Sequence, residues 1–220
     1  MLELDGVTKQ FGRRTVLDQV TARFRPNAVH FLMGPNGAGK TTLIKCLLGL
    51  HRYRGSITWA GRAIDPSERV VCPVFDDPQW HGRLTGSQNI AMFIPEAGRI
   101  DRRYLSDHVL ATRTGEYSHG QRMRLALTAA FNCGAELIIL DEPTNGLDRD
   151  GMKQLARDLE ELSSETTFIV TGHNLEFYEN VIDTLHILQD AHLGEHDLTD
   201  TDEGGARLAE IYDQSYSTGP

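Results

Sequence analysis

The sequence has no long hydrophobic run, and none of its apolar stretches approaches the roughly 18 to 20 residues that a membrane-spanning helix needs. The longest clean stretch, Leu137–Leu140, predicts a buried strand instead. The N-terminus also lacks the basic segment and apolar core of a secretory signal peptide. We therefore expect a soluble chain that does not insert directly into a membrane.

Cysteine is scarce, and basic residues are outnumbered by acidic ones. The three cysteines, Cys46, Cys72 and Cys133, are far apart in sequence, and none belongs to a Cys-x-x-Cys pair. This spacing indicates neither a zinc site nor a disulfide framework, and it predicts buried free thiols. The formal net charge is −9. Since nucleic acids and anionic lipids bind basic surfaces, we expect neither as a direct partner.

Strand and helix patterns alternate along the chain, which predicts an α/β fold with a mainly parallel sheet in a single domain, residues 1–220. The alternating apolar and polar residues of 2–8 and 15–24 predict an N-terminal antiparallel β-subdomain. A small helical subdomain is expected at approximately 79–133, and a short tail at 199–220. Other predicted elements are strands 28–33, 136–140 and 166–171 and helices 40–50, 87–97, 101–113, 120–133, 149–163, 174–182 and 206–213.

A glycine-rich loop joins the apolar strand 28–33 to the helix 40–50. Glycines let successive N–H groups point at one phosphate chain, and the following helix adds the positive end of its dipole. In this context the pattern Gly-x-x-x-x-Gly-Lys-[Ser/Thr] predicts a phosphate-binding loop (P-loop) for Mg-ATP, with Lys40 on the β- and γ-phosphates and the Thr41 hydroxyl on Mg²⁺. A plain glycine-rich turn is the alternative. The candidate nucleotide-binding residues are Gly34, Pro35, Asn36, Gly37, Ala38, Gly39, Lys40, Thr41 and Thr42.

Two carboxylates, Asp141 and Glu142, end the predicted strand 136–140. The end of this strand places Asp141 beside the P-loop, where it can hold Mg²⁺ directly or through water. Glu142 points elsewhere and can act as the general base that polarises the attacking water. A lone Asp-Glu pair is more often a solvated turn, but the upstream P-loop favours the catalytic interpretation.

In this combination the chain resembles the ATPase subunit of an ATP-binding cassette (ABC) transporter, from about residue 2 to 198. The segment Tyr117–Arg122 is similar to the family signature, usually Leu-Ser-Gly-Gly-Gln, with Tyr at 117 and His at 119 as departures. The resemblance implies that this segment binds the γ-phosphate held by the P-loop of another subunit, in a head-to-tail dimer. Taken alone, Ser118 would be a helix N-cap. The implied nucleotide contacts are Ser118, His119, Gly120 and Gln121.

Three further residues match positions of the family. His173, after the predicted strand 166–171, matches the switch histidine that contacts the γ-phosphate, and it is implied to support catalysis with Glu142 and Lys40. Asn145–Asp148 resembles the loop that links the two sites of the dimer, so Asp148 is both a nucleotide-site candidate and an N-cap candidate. Phe11 falls where the family places an aromatic side chain that stacks on adenine, although a core phenylalanine is an alternative.

The family's glutamine loop corresponds to the segment that begins at Val74, and here Asp76, rather than Gln79, occupies the usual glutamine position. An Asp oxygen could ligate Mg²⁺ or its water, but it adds negative charge near the triphosphate; Gln79 in that role is the alternative. The unusual residues at 76, 117 and 119 resemble the single-cassette subunits that export drugs, antibiotics, lipids or glycans. Trp80 is a candidate aromatic of a groove for a permease helix, or a core residue.

The resemblance implies a Mg-dependent ATPase, with ATP and Mg²⁺ as cofactors, that powers a membrane transporter. Among transporters, it favours an exporter. Its implied partners are a transmembrane permease subunit and a second ABC ATPase subunit, identical or different. We expect the chain at the cytoplasmic face of the cell membrane, held there by the permease. Two alternatives stay open: a non-transport ABC ATPase, and a weakly hydrolysing, nucleotide-gated subunit of a heterodimer.

Overall fold

A computed structural model describes residues 1–65, 68–94 and 103–198. The strands are β1 Leu2–Phe11, β2 Arg14–Phe24, β3 Val29–Met33, β4 Arg54–Trp59, β5 Arg62–Ala63, β6 Val71–Val74, β7 Leu137–Leu140, β8 Thr167–Val170, β9 Thr184–Gln189 and β10 His192–Asp197. The helices are α1 Lys40–Leu47, α2 Gly86–Phe93, α3 Asp107–Leu110, α4 His119–Phe131, α5 Arg149–Leu162 and α6 Leu175–Tyr178, with a 3₁₀ turn at Thr114–Glu116. In the described ranges no helix is long and apolar enough to cross a bilayer.

The described strands form two sheets. The smaller sheet has the order β2-β1-β4-β5 and is antiparallel, as predicted for the N-terminal region. The larger sheet has the order β10-β9-β3-β8-β7-β6; its neighbours from β9 to β6 are parallel, and the edge strand β10 is antiparallel. The predicted α/β class with a mainly parallel sheet is therefore confirmed.

The large sheet is buried on both faces, which explains why its central strands are continuous apolar runs. In β7, Ile138 and Leu140 pack with the core that includes α4 and α5, whereas Leu137 and Ile139 pack with α1 and the antiparallel sheet. Successive side chains of a strand point to opposite faces, so one short strand supplies both cores. The carboxyl ends of β3, β7 and β8 consequently meet at one edge of a rigid layer.

Two helical predictions were too long. Of 101–113 only Asp107–Leu110 is an α-helix within the described residues, because Arg113 takes an extended conformation and pairs with Thr85 in a β-bridge. Of 174–182 only Leu175–Tyr178 is helical, because Asp183 is tied to β3: its N–H donates to the Val29 carbonyl, and its carboxylate accepts from the Val29 N–H at 2.7 Å. The predicted helix 206–213, the tail 199–220 and the end of 87–97 lie outside the described residues.

The region between the neighbouring strands β6 and β7 contains α2, α3 and α4, in agreement with the helical texture of 79–133. Helix α4 packs against both β6 and α2. Its N-cap is Ser118, whose side chain accepts from the Gln121 N–H while the Gln121 side chain accepts from the Ser118 N–H, a complete capping box. The proposed signature segment is therefore held rigidly at the start of a helix.

Candidate active site

The P-loop leaves β3 and curls around its own lysine. Gly39 has φ 115° and precedes α1, and a Cβ on Gly34 would lie 2.5 Å from the Leu188 carbonyl oxygen. Glycine is needed at both positions, for the left-handed backbone and for the close approach, respectively. The Lys40 Nζ donates to the Gly34 carbonyl at 2.6 Å. The ammonium group is therefore already inside the concave face of the loop.

A cavity of about 970 Å³ opens at this loop. The predicted nucleotide-binding residues that line it are Phe11, Pro35, Asn36, Gly37, Gly39, Lys40, Thr41, Thr42 and Asp76. Phe11 is 46% exposed, so the alternative of a core phenylalanine is wrong. Asp141 and Glu142 line the same cavity, so the P-loop and the acidic strand end share one site.

Asp141 is buried between two hydroxyl groups. The Thr41 Oγ1 donates to Asp141 Oδ2 at 3.3 Å, and the Thr171 Oγ1 donates to Asp141 Oδ1 at 2.7 Å. Thr41 is the second residue of α1, after the P-loop, and Thr171 directly follows β8. The ends of β3, β7 and β8 thus supply a compact set of oxygen atoms, as expected where parallel strands end at a binding crevice.

Glu142 has a strained backbone and a side chain shielded from solvent. Its φ is +55°, a left-handed conformation that is uncommon outside glycine, and its N–H donates to Thr171 Oγ1 at 3.0 Å. The Glu142 Oε1 lies 3.2 Å from His173 Nε2. Burial raises the pKa of Glu142, whereas the positive charges of His173 and Lys40 oppose that rise. A raised pKa makes this carboxylate a better proton acceptor at neutral pH.

Burial and neighbouring charges also act in opposite directions on Lys40. Burial lowers the pKa of Lys40, while the negative charges of Glu142 and Asp141 act in the opposite direction. The cavity therefore contains a desolvated cation within reach of two carboxylates. Such an arrangement is available to neutralise an incoming polyphosphate, because electrostatic interactions are stronger in a partly buried site than in water.

Asp76, and not Gln79, faces the cavity. The Asn145 Nδ2 donates to Asp76 Oδ1 at 2.8 Å, which ties the segment after β6 to the segment after Glu142. The Gln79 Nε2 instead donates to Asp77 Oδ2 at 2.7 Å. The geometry favours Asp76 over Gln79 as the residue that would sense a bound nucleotide.

Neither the signature segment nor Asp148 lines this cavity, although His119 Nδ1 and Arg122 Nη2 each lie 4.0 Å from Oδ1 of Asp77, which does. Gly120 packs on the loop after Glu142, since a Cβ there would lie 2.3 Å from the Gly146 carbonyl oxygen. Asp148 caps α5: its Oδ1 accepts from the Gly151 N–H at 2.8 Å and from Arg124 Nη2 at 2.6 Å. The Gly151 hydrogen bond, together with Arg124, lowers the pKa of Asp148. Asp148 is an N-cap as predicted, but it does not contact the P-loop of its own chain.

Comparisons with known proteins place this geometry in a family. The family model described as ABC transporter matches residues 17–145, which is more than half of the chain. The chain belongs to the ABC transporter family. It is an ATPase cassette of that family, with a site for ATP.

Several relatives of the cassette span most of its length. The uncharacterized ABC transporter ATP-binding protein YdbJ of Bacillus subtilis is 31% identical over 204 residues, which cover 86% of this chain and 66% of YdbJ. The lantibiotic transport ATP-binding protein SrtF of Streptococcus pyogenes is 29% identical over 225 residues, which cover 96% of each chain. The chain thus spans two thirds of one relative and nearly the whole of another.

Solved structures agree with the ABC fold. The structure of an ATP binding subunit of an ABC transporter has a TM-score of 0.85 and 24% identity, and the match covers 97% of this chain and 98% of that one. A dimeric post-hydrolysis state of the cassette MJ0796, bound to ADP and Pi, has a TM-score of 0.80 and 21% identity, covering 91% and 100%. At these identities the likeness establishes the fold.

Sequence reasoning missed two residues that organise this ABC site. Thr171, fully buried, connects Asp141 to the Glu142 backbone through its single hydroxyl. Tyr178 donates its hydroxyl to the Thr171 carbonyl at 3.2 Å, and its ring packs so tightly that a Cβ on Gly172 would lie 2.3 Å from it. The role of Thr171 could have been predicted from its position as a polar residue directly after a buried strand. No sequence feature indicates the role of Tyr178.

Proposed function

We propose that this cassette is the ATP-hydrolysing subunit of an exporter, and that it works as a head-to-tail pair in which the signature segment of one copy closes the P-loop cavity of the other. One observation carries the proposal. The P-loop cavity is lined by Lys40, Asp141 and Glu142 but by no signature residue, whereas the signature segment forms the capped start of a separate helix, α4. An anion site and a P-loop that do not meet within one chain can meet between two.

The residues divide the chemistry in this proposal. Lys40, the P-loop N–H groups and the opposing Ser118 and Gly120 stabilise the negative charge that develops on the γ-phosphoryl group. Glu142 accepts the proton of the attacking water, because its buried carboxylate has a raised pKa and lines the cavity. His173 holds the Glu142 carboxylate through the 3.2 Å contact.

The oxygen atoms at the strand ends fit Mg²⁺, which prefers oxygen ligands. Thr41 and Asp141 already share a hydrogen bond, and Asp76 lines the same cavity. Among the described residues no group of three or more His, Cys, Asp or Glu side chains could hold a metal alone. This fits Mg²⁺ held by one or two protein oxygens together with phosphates and water, and there the ion would offset phosphate charge.

Export of a peptide-like cargo is favoured by the relatives. SrtF is named for lantibiotic transport, and the Enterococcus faecalis relative BcrA, 29% identical over 210 residues, for bacitracin transport. The galactose import relative MglA of Photobacterium profundum matches over only 42% of its length. SrtF, by contrast, matches from end to end, and its agreement in length favours the antibiotic-transport branch.

A permease is proposed to dock in an apolar groove of about 500 Å³ between β6, α2 and α4. Trp80 lines this groove, with its indole nitrogen donating to the Arg122 carbonyl at 3.2 Å and its ring edge-to-face with Phe93. Met92 and Phe93 are 55% and 51% exposed there. Exposed apolar side chains beside a cavity are typical of a surface that receives a partner helix.

The head-to-tail pair is tested by mixing two inactive variants. Lys40→Ala removes the P-loop cation, and Ser118→Asp keeps an N-cap acceptor for α4 but adds a negative charge where the γ-phosphate would lie. Each variant alone should hydrolyse ATP at background rate. An equal mixture should recover about a quarter of the wild-type turnover, because half of randomly formed dimers are mixed and each mixed dimer has one intact site.

Ser118→Asn is the matched control, since it keeps the N-cap without the charge and should retain more activity than Ser118→Asp. Recovery in the mixture cannot occur if each chain hydrolyses ATP alone. A mixture that stays at background, with both variants folded and able to dimerise, would contradict the head-to-tail arrangement.

The permease groove is tested by copurification of this chain with a transmembrane permease subunit. Met92→Asp places a charge in the groove, and it should abolish copurification while leaving the ATPase activity of the isolated chain unchanged. Ser87→Asp, on the exposed first turn of the same helix α2 and outside the groove, is the matched control. Equal retention of the membrane protein by both variants would show that it docks elsewhere.

A weakly hydrolysing subunit of a heterodimer is the second candidate, and Asp76 is the observation that favours it. Asp76 adds a carboxylate to a cavity that Asp77, Asp141 and Glu142 also line, and there it repels the triphosphate. The turnover of the purified chain, with and without a second cassette, distinguishes the two. Appreciable turnover by the chain alone excludes the weakly hydrolysing role.

A further inference from the structure

Two cysteines that are remote in sequence meet in the apolar groove. Cys72 lies on β6, and Cys133 follows the C-terminal end of α4. Both are half-buried, both line the groove, and both pack against the same hydrophobic core. The expectation of buried thiols therefore holds fully only for Cys46.

The two side chains are close enough for the Cys72 thiol to donate a hydrogen bond to the Cys133 sulfur. The Cys133 thiol also donates a hydrogen bond to the Ala130 carbonyl oxygen at 3.1 Å, which fixes the position of its sulfur at the end of α4. The hydrogen bond from Cys72, together with the charge of Arg69, lowers the pKa of Cys133, and the same hydrogen bond raises the pKa of Cys72. Cys133 is therefore the more acidic of the two thiols.

The third cysteine provides an internal contrast. Cys46 is fully buried in α1, and burial raises the pKa of its thiol. A buried, protonated thiol is inert, whereas a partly exposed thiolate beside a second cysteine is the reactive arrangement. Reactivity should therefore be confined to the groove.

We propose that Cys72 and Cys133 form an oxidisable dithiol that closes to a reversible disulfide when the chain meets a peroxide. The Cys133 thiolate attacks one peroxide oxygen, the O–O bond breaks, and a sulfenic acid forms with release of hydroxide, which takes up a proton as water. The Cys72 sulfur then attacks the sulfenic sulfur, its thiol proton leaves with the departing oxygen, and a second water is released. Two thiols are oxidised, and one peroxide is reduced to two waters.

The disulfide would join two parts of the cassette that lead to different halves of the proposed ATP site, the P-loop half and the signature half. Strand β6 leads directly to Asp76, and the signature residue Ser118 is the N-cap of α4. A covalent bond between β6 and the end of α4 would fix these two parts relative to each other and reduce the freedom of the groove. The dithiol itself does not depend on the proposed head-to-tail pair or on the permease.

Intact-mass measurement of the whole chain after treatment with hydrogen peroxide tests the proposal. We expect the loss of two hydrogen atoms, and peptide mapping should join the peptides that contain Cys72 and Cys133. Cys72→Ser and Cys133→Ser should each abolish the loss, whereas Cys46→Ser should keep it. Alanine variants serve the same purpose if a serine variant does not fold.

A gain of oxygen atoms without the loss of hydrogen, or cross-linking between two chains only, would overturn the dithiol. The ATPase turnover of the oxidised chain should fall several-fold and should recover with a thiol reductant, and Cys72→Ser should be insensitive to both treatments. An unchanged turnover in a fully disulfide-linked chain would overturn the mechanical link to the ATP site.

Discussion

The P-loop end of the sheet and the signature end of α4 are the two halves of the proposed site, but they are assembled in different ways. At the P-loop, the ends of three parallel strands hold Lys40, Asp141 and Glu142 around one cavity. The signature segment rests on a single capped helix and on the loop at Gly146. The first is built from several segments of one chain, whereas the second is a single helix start that, in the proposed pair, faces another chain.

This difference indicates which step of ATP hydrolysis a partner can regulate. A site built on a rigid sheet is preorganised for binding, so it changes little when ATP enters. The approach of a second anion site from another chain is then the step that a partner can regulate. Variants that affect only one of the two halves should accordingly separate binding, closure and hydrolysis.

Glu142→Gln should have the largest effect. We expect turnover to fall by about 10²–10⁴-fold, because the general base is lost, while ATP binding is retained. The variant should accumulate as an ATP-bound dimer, which steady-state kinetics and size-exclusion chromatography with ATP would detect. Adding Ser118→Asp to this variant should remove the dimer. Unchanged turnover in Glu142→Gln would refute the assignment of the base.

The pH profile should show the coupling of Glu142 to His173. Since burial raises the pKa of Glu142, the activity should fall with decreasing pH at values above the ordinary carboxyl range of about 4.3. His173 lowers the pKa of Glu142, so His173→Ala should raise it further and move the acid limb of the turnover profile to higher pH. An acid limb that stays in place in His173→Ala would mean that Glu142 is not the titrating base.

Asp76→Asn should tighten ATP binding a few-fold. The substitution removes one negative charge near the triphosphate, and it keeps the oxygen that accepts from Asn145. For a partly exposed pair the gain is about 1 kcal/mol, or about five-fold in KM for ATP. Asp150→Asn, which removes an exposed carboxylate outside the cavity, is the control. An equal effect of both variants would assign the change to the general field and not to residue 76.

Phe11→Leu should have the smallest effect. It removes the aromatic face at the rim of the cavity but keeps an apolar side chain, so the loss is limited to stacking, about 0.5–1.5 kcal/mol. Titration with a non-hydrolysable ATP analogue should show weaker binding, whereas inorganic triphosphate, which lacks adenine, should bind equally well. Equal weakening for triphosphate would place Phe11 in the loop structure and not at adenine.

The sequence could predict what is local, and it failed where distant segments meet. The P-loop and the Asp141–Glu142 strand end were recognised because their residues are contiguous and their flanking strands are strongly apolar. The roles of Thr171 and Asn145 were missed, since each depends on a hydrogen bond across the sheet edge. Residues 101–113 look helical and loop-rich in sequence, but tertiary pairing at Arg113 leaves an α-helix only at Asp107–Leu110 within the described residues.

The left-handed backbone of Glu142 has a consequence for how this chain can be engineered. A non-glycine residue in such a conformation costs about 1–3 kcal/mol, which the surrounding strand ends must hold in place. A laboratory selection for thermal stability alone would therefore favour Gly or Asn at position 142. The selected variants would be more stable but would lack the proposed general base. Any screen for more stable variants of this cassette should measure ATPase turnover from its first round.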